Sequence, residues 1–79
     1  MKTKTRAEQD PLNAVIGRNI KRIRRANEFS QAQLGGLFRP PIRLQQVQKI
    51  ENGKNRVSAS GLYRIKEEFG CQLEEFFEE

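Results

Sequence analysis

The chain has 79 residues, a formal net charge of +5 and a mean hydropathy of −0.80. It is long enough for one small domain, and it has neither an apolar run of about 18 residues nor a signal-like N-terminus, so no membrane span or secretory signal is predicted. It has no histidine and one cysteine, Cys71, which excludes an internal disulfide, a Cys/His zinc site and an imidazole-activated thiol. We therefore expect no metal, no cofactor and no enzymatic activity.

The charge is divided unevenly along the chain. Residues 1–66 contain all 15 Lys and Arg residues against four acidic residues, a net charge of +11, whereas residues 67–79 contain six Glu and no base, a net charge of −6. A basic body predicts a polyanionic partner, because neutralising phosphates releases counterions, and the acidic end is then expected to face away from that partner. The alternative is that both parts are ordinary solubilising surface.

Residues 1–9 are predicted to be a flexible basic arm, because they are polar and lack a periodic apolar face. Its cations are Lys2, Lys4 and Arg6. Two interpretations are open: an arm that contacts phosphates or the minor groove, and a terminus that is only flexible.

Asp10 and Pro11 predict the start of a first helix, with Asp10 as the N-cap and Pro11 in the first helical position. Apolar residues then recur every three or four positions, which extends the helix to about Ala26. These apolar residues are Leu12, Ile16, Ile20 and Ile23. The outer face of the helix carries Arg18, Lys21, Arg22, Arg24 and Arg25.

A second helix is predicted to begin after Ser30, which forms a capping box with Gln33. Gly35 and Gly36 weaken this helix, and one of them is expected to allow the close approach of another helix. The helix is predicted to end at Arg39-Pro40-Pro41, because proline removes a backbone donor and restricts the residue before it.

The stretch from Arg43 to Asn52 predicts a third helix with two different faces. Val47 and Ile50 form a narrow buried stripe, and Gly53 is expected to end the helix in the left-handed conformation. The opposite face carries Gln45, Gln48 and Lys49. This face suits a DNA major groove, where Gln pairs with the adenine edge and Lys with the guanine edge. The alternative is an ordinary solvated polar face.

The rest of the chain adds two shorter elements. Ser58 is predicted to cap a fourth helix that ends at Gly70, and a last helical turn begins at Gln72. The apolar residues of this turn are Leu73, Phe76 and Phe77. No segment has the alternating pattern of a strand. We therefore predict a compact all-α domain of five short helices over residues 10–79.

The order of these elements resembles the lambda-repressor/Cro-like helix-turn-helix family of DNA-binding regulators, also called the xenobiotic-response-element type. The matching motifs are I-G-x-x-I-x-x-I-R from Ile16, S-Q-x-Q-L from Ser30, V-Q-K-I-E-N-G-K from Val47 and G-x-x-L-x-x-F-F from Gly70, and they cover about residues 14–77. The resemblance implies a five-helix domain with the helix-turn-helix formed by helices 2 and 3. The chain departs from the family in a turn about two residues longer, with prolines where a glycine is usual. It also has Gly35 where the family often has Ala, and Arg43 where the family caps helix 3 with Ser or Thr.

The resemblance also implies a function. It is that of a sequence-specific transcriptional regulator that binds double-stranded DNA, most simply a dimeric repressor on a pseudo-palindromic operator. The residues at the family's base-contacting positions are Arg43, Leu44, Gln45, Gln48 and Lys49. The residues expected to contact phosphates are Gln31, Gln46, Asn52, Lys54, Asn55, Arg56 and Arg18, with Lys21 beside it. Each is also plausible as ordinary surface polarity.

Three further residue roles follow from the resemblance and the pattern. Glu51 is implied to form a structural salt bridge with Arg24, which would join helix 3 to helix 1. Of Phe76 and Phe77, one is expected in the core and the other at a dimer interface; the alternative places both in the core of one chain. Cys71 is expected to be half-buried and unreactive.

Two other functions stay open. An antitoxin-like module would bind a protein partner through its acidic, aromatic C-terminus, with DNA binding secondary. A protein that coats DNA or RNA without specificity needs only the charge, and it predicts a steep salt dependence without sequence preference. The expected location is the cytoplasm of a bacterium or of a phage host, at the nucleoid and away from membranes.

Overall fold

The computed structural model describes residues 3–79, in which four α-helices and one 3₁₀ helix follow one another without any strand. The α-helices are α1 (Pro11–Ala26), α2 (Gln31–Gly35), α3 (Leu44–Glu51) and α4 (Ala59–Phe69), and the 3₁₀ helix is Leu73–Phe77. The predicted all-α class is confirmed for this part of the chain. The last predicted helix is a 3₁₀ segment, so the domain has four α-helices here and not five. None of them combines the length and the hydrophobicity that a membrane span requires.

α1 begins and ends where its capping residues predict. The Asp10 side chain accepts a hydrogen bond from the backbone N–H of Leu12 at 3.0 Å, and Pro11 occupies the first turn, where a missing N–H costs little. At the other end, the backbone N–H of Asn27 donates to the Ile23 carbonyl at 3.1 Å. The helix packs against both α3 and the 3₁₀ helix, and α3 in turn packs against α2.

α2 ends earlier than the prolines predict. Its last residue is Gly35, whereas the sequence places the end at Arg39. After the C-cap of α2 the next backbone hydrogen bonds span three residues and not four. The Leu37 N–H, for example, donates to the Leu34 carbonyl at 3.0 Å, which is the tighter 3₁₀ pattern that ends the α-helix. The glycine pair favours the early exit. Because α2 ends early, the Phe38 side chain enters the core. Its ring lies against Gly61, and a Cβ built on Gly61 would be 2.3 Å from a ring carbon of Phe38.

α4 and the 3₁₀ helix complete the domain. The Ser58 hydroxyl accepts a first-turn backbone N–H of α4 at 3.1 Å, and Gly70, with a φ of 62°, ends that helix. The side-chain amide of Asn19 in α1 donates to the backbone carbonyls of Phe76 at 3.0 Å and Glu78 at 2.8 Å. Asn19 therefore ties the C-terminal segment to α1, a contact that no local sequence pattern indicates.

The core is built from side chains of all four α-helices, the turn after α2 and the 3₁₀ helix. Its buried members are Ile20, Ile23, Leu34, Phe38, Val47, Ile50, Ile65 and Phe76. Burying side chains of this size contributes about 1.5–3 kcal/mol each. Because Val47 and Ile50 are among them, the core holds α3 by one face and leaves the opposite face exposed to solvent.

Residues 5–9 form a turn ahead of α1. The Thr5 backbone N–H donates to the Glu8 carboxylate at 2.9 Å, and the Glu8 N–H donates to the Thr5 hydroxyl at 3.1 Å. The bond that the Thr5 N–H donates to the carboxylate is the largest cause of a lowered pKa at Glu8. The Thr5 hydroxyl also donates to the Lys54 carbonyl at 2.9 Å, so the segment lies beside the loop after α3. The flexible basic arm stays a prediction, and Lys2 lies outside the described residues.

Candidate nucleic-acid interface

α3 presents two chemically different faces. Val47, Ile50 and Glu51 are only 0, 7 and 5% exposed. The side chains predicted to contact bases are all exposed: Arg43, Leu44, Gln45, Gln48 and Lys49. Gln45 is three and four positions from Gln48 and Lys49, so these three form one row along the helix surface. We call them the α3 row; they lie opposite the core, with Leu44 at the edge.

The start of α3 is set by a half capping box. Arg43 is the N-cap, and its backbone N–H donates to the side-chain carbonyl of Gln46 at 2.9 Å. Pro41 precedes this cap in non-helical backbone, and the helix begins at Leu44. Gln46 is expected to contact a phosphate. The bond from Arg43 uses the side-chain oxygen of Gln46, so its NH₂ group can still donate a hydrogen bond to a phosphate oxygen.

Arg24 of α1 and Glu51 of α3 form a buried ion pair. The guanidinium donates two hydrogen bonds to the carboxylate, Nε to Oε2 at 2.7 Å and Nη2 to Oε1 at 3.1 Å. The two side chains are 9% and 1% exposed. Arg24 Nη1 also donates to the Phe29 carbonyl at 2.8 Å. The pair that the family resemblance implies is thus present in the structure, where its bidentate geometry joins α3 to α1 and to the break before α2.

Gln31, expected to contact a phosphate, is half-buried and belongs to the same polar network. Its NH₂ group donates to Glu51 Oε1 at 3.0 Å, and Gln48 Nε2 approaches its carbonyl oxygen at 3.5 Å. Gln31 therefore links the buried ion pair to the α3 row. Sequence reasoning missed this link, because its partners lie 17 and 20 positions away along the chain. The only signal was the place of Gln31 at the start of α2.

The loop after α3 carries most of the remaining predicted phosphate contacts. Asn52, Lys54, Asn55 and Arg56 are all exposed. Gly53 has a φ of 75° and lies directly on α1, where a Cβ would be 2.8 Å from the Ala14 Cα. The left-handed backbone and this close approach both require glycine. The Lys54 N–H donates to the Lys49 carbonyl at 2.8 Å, so the loop folds back against the end of α3.

Arg18 lies on a different helix from the α3 row. It is exposed on the outer face of α1, and Lys21 beside it is half-buried. Both line an open cleft with Arg22 and Arg25. The structure therefore places Arg18 in a cationic group on α1 and not among the side chains of α3.

The two C-terminal phenylalanines have different environments. Phe76 is fully buried in the core, which removes it as a candidate for a dimer contact, while Phe77 is 38% exposed. Phe77 lines an apolar cleft of about 420 Å³ with the exposed Leu73 and Tyr63, between α4 and the 3₁₀ helix. Cys71 is half-buried, and burial, followed by the charge of Glu75, raises the pKa of its thiol.

Comparisons with known proteins agree with this architecture. The model of a helix-turn-helix family matches residues 20–76. The chain is 38% identical over 76 residues to an uncharacterised HTH-type transcriptional regulator, y4aM of Sinorhizobium fredii, covering 96% of this chain and 52% of the relative. It is 35% identical over 75 residues to the similarly named y4wC of that organism, covering 95% and 51%. It is 35% identical over 66 residues to an uncharacterised transcriptional regulator in the ATPase CF(0) region of Rhodospirillum rubrum, covering 84% and 59%. No solved structure matches the chain significantly.

The chain spans about half the length of most curated relatives it matches. Within the chain, the family match runs from the middle of α1 to the 3₁₀ helix, so it includes the whole of α2, α3 and α4. The relatives extend this similarity over nearly the whole chain. The chain therefore belongs to the lambda-repressor/Cro-like helix-turn-helix family of transcriptional regulators.

Proposed function

We propose that this chain is a sequence-specific DNA-binding domain in which α2, the turn after it and α3 form the helix-turn-helix, with α3 entering the major groove. The observation that carries the proposal is the α3 row, which is exposed on a helix whose other face is fixed by the core and by Glu51. Gln45 and Gln48 offer paired donors and acceptors to adenine, and Lys49 donates to guanine. In its simplest form the protein is a dimeric repressor on a pseudo-palindromic operator, acting in the bacterial cytoplasm at the nucleoid.

Residues around the α3 row have supporting roles in this proposal. Arg43 and Leu44 stand at the start of α3, where Arg43 suits guanine and the 42% exposed Leu44 suits a thymine methyl group. Phosphate contacts hold the helix in register without reading sequence. They are assigned to Gln31, Gln46, Asn52, Lys54, Asn55, Arg56 and Arg18. The basic arm would add contacts from Lys4 and Arg6 beside the loop after α3.

The experiment that tests the proposal is selection of binding sites from a randomised duplex library, followed by titration of the selected duplex at two salt concentrations. Enrichment of a two-fold symmetric site is the expected result, and its half-site spacing would report the geometry of the dimer. Salt-sensitive binding to every duplex without enrichment would contradict sequence-specific recognition and favour non-specific coating.

Gln45→Ala and Lys54→Ala are expected to weaken DNA binding in different ways. Loss of Gln45 should cost about 1–3 kcal/mol on the selected duplex and relax the preference at one base position. Loss of Lys54 should weaken selected and scrambled duplexes alike and lower the salt slope by about 1, because a phosphate contact carries no sequence information. Fluorescence anisotropy with both duplexes measures these effects. If Gln45→Ala lost the same binding free energy on both duplexes, Gln45 would not contribute to base recognition.

For the dimer we propose a contact through the apolar cleft between α4 and the 3₁₀ helix. Phe77→Glu is expected to shift a dimer to monomer in sedimentation equilibrium, because a carboxylate replaces an aromatic ring that a second chain would desolvate. Leu12→Glu is the matched control, since Leu12 is 45% exposed and lies outside the cleft. A Phe77→Glu chain that dimerises like the wild type would rule out this interface.

The antitoxin-like function is the second candidate. The observation that favours it is the exposed Leu73 and Phe77 within the acidic C-terminal segment, which together offer an apolar and anionic surface to a basic partner protein. Leu73→Ser/Phe77→Ser discriminates between the two functions without removing the buried Phe76. Loss of partner capture with unchanged DNA binding would favour the protein-interaction module.

A further inference from the structure

The outer face of α1 carries a cationic group that α3-based recognition does not use. Arg18, Lys21, Arg22 and Arg25 surround an open cleft of about 430 Å³. Their spacing of three and four positions places them on one face of the helix. Three of the four are exposed and Lys21 is half-buried, so the group faces solvent over two turns of α1. We call it the α1 basic face.

The charge of this face is poorly compensated within the chain. Every member has another cation three or four positions away, an arrangement that destabilises a helix through like-charge repulsion. Among the described residues, only Arg22 is within ion-pair distance of a carboxylate, that of Glu78 at 3.7 Å, and both side chains are at least half exposed. Arg18, Lys21 and Arg25 have no ion pair in this part of the chain. Binding of a polyanion would relieve the repulsion, because closely spaced phosphates match closely spaced cations.

The position of the face indicates which polyanion it meets. Ala14, Arg18, Lys21 and Arg25 follow one another at spacings of four, three and four, so they form a single stripe along α1. Gly53 lies directly on Ala14, at the start of this stripe. The basic loop that begins at Lys54 therefore lies next to the α1 basic face. Together the two form one continuous cationic surface that starts at the end of α3.

The acidic C-terminal segment lies at the opposite edge of the α1 basic face, next to Arg22. Arg22 Nη2 donates to the Glu75 carbonyl at 3.3 Å and lies near the Glu78 carboxylate. Anionic ligands are therefore repelled at the Arg22 edge and attracted at the edge next to the loop. Phosphates can approach from the loop side and reach Arg18, Lys21 and Arg25.

We propose that the α1 basic face binds the phosphate backbone of DNA beyond the bases that α3 contacts. This inference rests on the proposed function for its ligand and extends it from Arg18 alone to a surface of several cations. The face recognises phosphate charge, so its contribution is independent of base sequence and appears in the salt dependence of binding.

The test uses Arg18→Gln/Arg25→Gln and a 40-base-pair duplex of random sequence, titrated over a series of salt concentrations. Removing two phosphate contacts is expected to lower the slope of log K against log salt by about 1.8, since each contact contributes roughly 0.9. Arg64→Glu is the matched control with the same change of net charge. Arg64 lies on α4 near Glu67 and Glu68 and outside the apolar cleft of the proposed dimer contact, and its replacement should change the slope by less than about 0.5.

The outcomes separate this inference from the proposed function. An unchanged slope for Arg18→Gln/Arg25→Gln, with wild-type binding intact, would overturn the role of the α1 basic face and leave recognition through α3 standing. Equal losses from Arg18→Gln/Arg25→Gln and Arg64→Glu would assign the effect to net charge and also overturn it. A wild-type chain that binds no duplex would overturn both proposals. Circular dichroism of both variants establishes that the helices are retained.

Discussion

Replacement of Glu51 by glutamine is expected to lower the free energy of unfolding by about 2–4 kcal/mol, because it leaves the guanidinium of Arg24 buried without its counter-charge. Complete loss of a buried partner costs more, but glutamine keeps one oxygen that can accept a hydrogen bond from Arg24. A domain of this size has a total stability of roughly 5–15 kcal/mol. The substitution should therefore be visible as a large shift of the denaturant midpoint at an unchanged m-value.

The chain supplies a matched control for this effect. Glu78 also pairs with an arginine, Arg22, but the two side chains are 61% and 50% exposed. Glu78→Gln makes the same chemical change in water and should cost less than about 1 kcal/mol. Equal losses from Glu51→Gln and Glu78→Gln would show that burial of the Arg24 pair does not set its contribution.

A double substitution separates the two sources of the loss. If the penalty comes from the uncompensated charge of Arg24, then Arg24→Met/Glu51→Met should be more stable than Glu51→Gln, because apolar side chains need no counter-charge in the core. If the penalty comes from lost hydrogen bonds, the double variant should be the less stable one. Denaturant unfolding of the three chains decides between these causes.

DNA affinity is expected to fall together with stability in Glu51→Gln. Glu51 is the acceptor for both Arg24 and Gln31, and Gln31 in turn meets Gln48 of the α3 row. Weakening this network loosens the end of α3 relative to α1 and α2. Affinity for the selected duplex should therefore decrease even under conditions where the variant is fully folded, which circular dichroism at the same temperature would establish.

The helix ends were largely predictable from the sequence because they depend on local chemistry. Asp10, Ser30 and Ser58 cap the helices that follow them, and Gly53 and Gly70 adopt the positive φ expected after a helix. A cap needs only a side chain and backbone groups two or three residues away. A few consecutive residues of the sequence are therefore enough to predict it. The two faces of α3 follow from a short-range pattern for the same reason.

The features that the sequence left open depend on contacts between distant segments. α2 was expected to reach Arg39, but its early end lets Phe38 pack beside Gly61 on α4. Asn19 binds carbonyls of the C-terminal segment more than fifty positions away. Phe76 and Phe77 are chemically identical, and only the register of the 3₁₀ helix decides which one enters the core. No propensity or spacing within one element carries this information.

Gly17→Ala is expected to destabilise the domain by about 1–3 kcal/mol in spite of the helix propensity that alanine adds. A Cβ at this position would be 2.2 Å from the Ile50 carbonyl oxygen and 2.8 Å from that of Glu51. Both atoms are backbone at the end of α3, so no side-chain rotation can relieve the contact. α1 and α3 would have to separate, which strains the buried pair formed by Arg24.

Gly36→Ala provides the control for this prediction. Gly36 ends α2 with a φ of −69°, and the nearest atom to a Cβ there, the Gln33 carbonyl oxygen, is 3.3 Å away. The same substitution should change the stability by less than about 0.5 kcal/mol or increase it, because less backbone entropy is lost on folding. Denaturant unfolding compares the two variants directly. If Gly17→Ala were as stable as Gly36→Ala, α1 and α3 would not pack backbone to backbone. If instead Gly17→Ala alone loses both stability and DNA affinity, the close approach at Gly17 positions the α3 row for binding.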